Sequence, residues 1–189
     1  PQYLIYLSNV INQMLQNTYP IVEDWQNYRN PFIGSVRNTA TSSVNKMTND
    51  FIYYYEKGFR ANKFGIPAGV FSGGALSEKV EAFYNQNISK ALALEGFQAI
   101  KNFYNGNGGV SLRQYISEVS TEEYSELSTD ILDQFNIAEN LINGLDENFY
   151  NQILTNNIKV LETYDAIQQG AILLKTDRLS VLQIPTDYV

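Results

Sequence analysis

Apolar residues recur at steps of three and four along almost the whole chain, and no stretch alternates well enough to ask for a sheet. Leu4, Leu7, Ile11, Met14, Thr18, Ile21 and Trp25 predict a helix over about residues 3–28. Pro20 divides it: either the helix kinks there, or Thr18 caps a second short helix whose opening turns hold Glu23 and Asp24. Residues 29–35, RNPFIGS, read as a connection, because Asn30 precedes Pro31 and Gly34 frees the chain to turn. Val36, Ala40, Val44, Met47, Phe51 and Tyr55 then predict a helix over about 36–62, capped by Ser35 or Asn38. It ends in KFGIPAG, where Gly65 suits a left-handed cap and Pro67 stops the helix from resuming.

The remainder repeats this grammar. One helix is expected over about 77–105, with Val80, Tyr84 and Ile88 on a first stripe and Ala93, Phe97, Ile100 and Tyr104 on a second, so that it either packs against neighbours on both sides or bends near Asn87. Gly106, Gly108 and Gly109 form a loop, and Ser111 caps a short helix through about Val119. Ser120 and Thr121 cap the next helix, whose buried side is Leu127, Ile131, Phe135, Ala138, Ile142 and Leu145. A last long helix over about 147–174 carries Leu154, Ile158, Leu161, Tyr164, Ile167, Ala171 and Leu174, and Thr176 or Asp177 starts a short terminal one. Lateral packing is the economical way to bury these stripes, since each Leu or Phe taken from water is worth roughly 1.5–3 kcal/mol. The expected fold is all-α, an antiparallel bundle of long helices with short accessory ones, spanning residues 1–189.

Composition narrows the chemistry. With 189 residues, 44% of them apolar and 13% aromatic, the chain can fill one sizeable core. A net charge of −7 with scattered lysines and arginines excludes the concentrated positive surface that a nucleic acid needs. The absence of cysteine removes disulfides and thiolate metal sites, and the absence of histidine removes imidazole bases, Ser-His-Asp triads and HExxH zinc sites. No apolar run approaches the roughly 20 residues of a membrane span. A first residue of Pro1 leads us to expect a piece of a longer precursor.

What remains for function is carboxylate, ammonium and phenol chemistry. Glu78 and Glu81, like Glu123 and Glu126, are spaced to share a helix face and could offer oxygens to a hard cation, or simply serve helix-end electrostatics. A ferritin-like di-metal site would also need Glu-x-x-His. The glycines after Lys63 lack the GxxxxGK[ST] phosphate loop. The more informative cluster is Glu56, Arg60 and Lys63 beside the FGIPAG turn, with Glu78 just beyond. It reads either as an ion-pair series closing a long helix or as a polar wall facing another domain or a ligand. Nothing in it separates an acid, a base and a nucleophile, so no catalytic residue is assigned.

In order, Lys63, Gly65, Pro67 and Gly69, then Glu81 and Ser89, then Tyr104 and Gly106, together with the closing SVLQIPTDYV, resemble the later part of an imelysin-like domain. The resemblance is strongest from about Val44 to Gly106. It implies a two-part helical protein, secreted to the periplasm or held at the outer membrane as lipoproteins are, and associated with iron uptake. The family's GxHxxE hallmark lies in an earlier bundle, so a chain without histidine is expected to be the C-terminal part alone, completing a cleft with a missing N-terminal bundle. The function so implied is a non-enzymatic binding or uptake component whose polar wall is Glu56, Arg60, Lys63 and Glu78. Its ligand would be iron, another divalent cation or an iron-bearing ligand, and its partner an envelope protein. The alternatives are the non-catalytic half of a metal-dependent peptidase and a structural protein-interaction bundle.

Overall fold

The computed structural model describes residues 2–36, 39–177 and 184, and among them every regular element is helical. The chain divides into two compact units, residues 1–46 and residues 47–189.

The first unit is dominated by α1 (Gln2–Gly34), a 33-residue helix that continues through both Pro20 and Pro31. The expected connection at 29–35 is therefore helix. Each proline removes its own N–H and frees one carbonyl a turn earlier, on Gln16 and Asn27, and both residues are exposed so that water can take the freed group. No residue of α1 is buried, and Trp25, Tyr28 and Phe32 stack along it with ring centroids 5.2–6.1 Å apart. The next helix, α2 (Ser43–Tyr53), starts later than the apolar spacing suggested. Its cap is Ser42, whose Oγ accepts from the Asn45 N–H at 3.4 Å; Ser35 lies outside it, and Asn38 is not among the described residues. Val36 and Ala40 are exposed, so the run TATS at 39–42 belongs to a turn.

From Tyr54 to Gly65 the second unit winds as a π-helix, followed by the single turn α3 (Ile66–Ala68). Phe51, Tyr55, Phe59 and Phe64 are all buried, the last step longer by one residue, as the wider turn requires. The helix does not stop at Gly65. Gly69, at φ +85°, is the left-handed cap, and it closes a Schellman motif: the Gly69 N–H reaches the Ile66 carbonyl and the Val70 N–H the Gly65 carbonyl. Gly65 serves packing instead, since a Cβ there would stand 2.6 Å from Phe71 and 2.8 Å from Tyr164.

The expected helix over 77–105 is only half formed. Ser77–Lys79 and Phe83–Ile88 are 3₁₀ turns, Ala82 sits at φ +58°, and Asn85 is non-helical; α4 runs from Ser89 to Asn105. Accordingly Tyr84 is fully exposed, while Ala93, Phe97, Ile100 and Tyr104 are buried as expected. Ser111 caps α5 (Leu112–Val119), and after a 3₁₀ turn at Glu122–Tyr124 α6 (Leu127–Asn143) buries the whole expected stripe from Leu127 to Leu145. In α7 (Phe149–Ile172) Asn156 breaks the helical angles. Ile153 and Val160 are buried on the face that Tyr164, Ile167 and Ala171 continue, and Leu154 and Ile158 are exposed on the other side. A short π turn, Leu173–Asp177, follows, and the expected terminal helix falls largely outside the described residues.

These helices close around an aromatic centre. Phe135 on α6 meets Tyr55, Phe97 and Tyr104 with centroids 5.4–5.8 Å apart, and Phe59 bridges Phe97 and Phe64. The second unit is thus an all-α bundle of long and short helices, and its π-helical segment lies against α7 along most of its length.

Candidate functional site

The π-helical segment turns both aromatic and charged side chains inward. Glu56 is only 7% exposed, and its carboxylate faces two cations: Lys175 Nζ at 3.1 Å from the terminal π turn and Arg60 Nη2 at 3.7 Å on its own segment. A carboxylate at this depth needs such partners, because burying an unpaired charge costs several kcal/mol or more. Arg60 in turn lies over the Tyr164 ring, 5.0 Å from its centroid, and donates to the Tyr164 hydroxyl and to Gln168 Oε1. Beneath it, the Tyr55 hydroxyl donates to the Ile167 carbonyl at 2.9 Å. Burial pushes the Tyr55 phenol far above the usual tyrosine range, with the Arg60 charge opposing, so it stays protonated.

Two further residues of the sequence cluster take different places. Lys63, near the end of the same segment, pairs with Glu81, whose backbone carbonyl accepts from Ser89 Oγ at 3.1 Å. Glu78 lies exposed on the 3₁₀ turn Ser77–Lys79. The structure therefore joins Glu56 to Arg60 and Lys63 to Glu81, and does not bring Glu78 to either pair. Spacing along the chain identified Glu56 and Arg60. It gave no sign of Lys175, Tyr164 or Gln168, which reach the cluster from more than a hundred positions away.

The motif residues prove to be a set of mutual supports. Lys63, Glu81 and Ser89 pin the irregular stretch between α3 and α4 back onto the π-helical segment; Gly69 closes that segment; Tyr104 donates to the Ser128 carbonyl at 3.0 Å. At the far end of α4 an open groove of about 600 Å³ is lined by Asn105, Ser111, Arg113, Gln114, Glu118 and Thr129, and none of the charged cluster reaches it. Among the described residues no group of three or more Asp and Glu side chains is placed to hold a metal ion, and no helix is long and apolar enough to cross a membrane.

Fold and site together define a helical-bundle protein with a buried ion cluster on a π-wound segment. The family model described as imelysin, which also carries a peptidase name, matches residues 1–175, and the chain belongs to the imelysin family. Neither the curated proteins nor the solved structures give a match.

That match corrects the expectation that only the later part of the domain is represented. It starts at residue 1 and takes in all of α1, so the likeness is not confined to a C-terminal portion, and it gives no support to a missing N-terminal bundle as partner. The short motifs pointed to a later part because the resemblance was carried by residues from Lys63 to Gly106 and by the closing SVLQIPTDYV, whereas α1 offers mainly an apolar periodicity shared by many helices. Peptide hydrolysis by a histidine-held metal would require residues that this chain does not contain.

Proposed function

We propose that the protein is a non-enzymatic binding component of the bacterial cell envelope, in the periplasm or at the outer membrane, and that it handles iron as part of an iron-bearing ligand. Membership of the imelysin family supports the envelope and iron association. The observation that carries the finer reading is the pairing at Glu56, where among the described residues Arg60 and Lys175 face the carboxylate and the Lys175 side chain is 38% exposed. A bare cation would meet Arg60 and Lys175 as well as Glu56. A ferric chelate that brings its own carboxylates finds complementary cations there. Lys63 stands on the same π-helical segment, paired with Glu81, and Glu78 is exposed on the turn beyond it.

Isothermal titration of the full chain with a ferric carboxylate chelate, and separately with haem, tests the reading. Saturable binding that weakens about tenfold or more in Lys175→Ala, with helicity retained by circular dichroism, is the expected result. Unchanged binding in that variant removes Lys175 from the site and overturns the reading. A structural role in protein contacts is the second reading, favoured by the unburied apolar face of α1.

A further inference from the structure

The apolar positions of α1 follow a spacing that the binding site does not use. Leu4, Leu7, Ile11, Met14, Thr18, Ile21, Trp25, Tyr28 and Phe32 step alternately by three and four without a slip, averaging about 3.5 residues, the spacing of a coiled-coil seam. Within its own unit the helix buries none of them. Thr18, the polar member, spends its hydroxyl on the Met14 carbonyl at 2.8 Å and so adds no unpaired hydroxyl to the seam.

The few charges of α1 select the partner and its direction. With Leu4 at a and Leu7 at d, Asp24 falls at g and Arg29 at the next e, while Glu23 falls at f and faces outward. In a parallel pair of α1 helices, g of one strand meets the following e of the other, so Asp24 meets Arg29 twice by symmetry. An antiparallel pair centred on Thr18 would set both residues opposite uncharged positions. Val10, Leu15 and Val22 flank the seam at g and e and widen the apolar contact.

We propose that α1 is a self-association element, through which two copies of this chain pair in parallel and in register.

Sedimentation equilibrium of the full chain at micromolar concentrations is the test. The expected result is a reversible dimer that Ile11→Asp reduces to monomer with helicity retained. Asp24→Arg raises the dissociation constant about tenfold, and Asp24→Arg with Arg29→Asp restores it. Leu7→Cys, in a chain that has no other cysteine, cross-links the dimer on oxidation only in the parallel register. A wild-type monomer overturns the proposal, whether α1 is then covered by residues 47–189 of its own chain or by a different protein. A dimer indifferent to Ile11→Asp, or one that Leu7→Cys cannot cross-link, overturns it equally.

Discussion

Tyr55 shows how closely single residues are held here. Its ring stacks on Phe135, its hydroxyl reaches the Ile167 carbonyl, and a Cβ at Gly170 would lie 2.4 Å from that hydroxyl, so α7 approaches through a glycine. Because burial raises the phenol's folded pKa above its unfolded value of about 10, the unfolded chain loses this proton first as pH rises. Its contribution is then fully present below about pH 10 and is lost progressively above it. Tyr55→Phe should cost about 1 kcal/mol near neutrality and flatten the loss of stability on the alkaline side, both read from urea denaturation across pH. An unchanged alkaline slope would show that Tyr55 is not the group responsible. At this scale the sequence told which residues are apolar and periodic, and Tyr55 was among them. It could not tell that Arg60 would find Tyr164 and Gln168, because contacts between distant positions leave no mark on local spacing.

The elements were legible wherever one face stays buried along their length. α6 is the plain case, with its stripe from Leu127 to Leu145 wholly in the core. Departures occur where backbone geometry overrides apolar period. The π turn after Tyr54 keeps Tyr55, Phe59 and Phe64 on one side despite a longer step, and Ala82 at φ +58° interrupts an otherwise helical pattern. Gly69 takes the left-handed cap that spacing suggested for Gly65. Either glycine can cap a helix in principle, and only the neighbours Phe71, Tyr164 and Gly74 decide which one must. Gly69→Ala combines a left-handed backbone with a Cβ 2.3 Å from the Gly74 carbonyl oxygen, and should destabilise the second unit by at least ~2 kcal/mol in chemical denaturation. A loss below about 0.5 kcal/mol would mean that the Schellman closure is dispensable.

For the molecule as a whole, the class of fold followed from the sequence because the same period recurs from end to end. Family membership followed from the order of short motifs, while the extent of the match did not, since α1 carries no distinctive residue pair. The ion cluster was half visible: Glu56 and Arg60 were adjacent by spacing, and Lys175 came from the opposite end of the unit. The account's central claim is that an iron-bearing ligand meets this cluster. Paramagnetic broadening of backbone amide signals by a saturating ferric carboxylate chelate, with the gallium chelate as diamagnetic control, reads the position of the iron directly. Broadening concentrated in Tyr54–Gly65 and around Gln168 and Lys175 is the predicted result. Broadening centred elsewhere, or none at saturation, would contradict it.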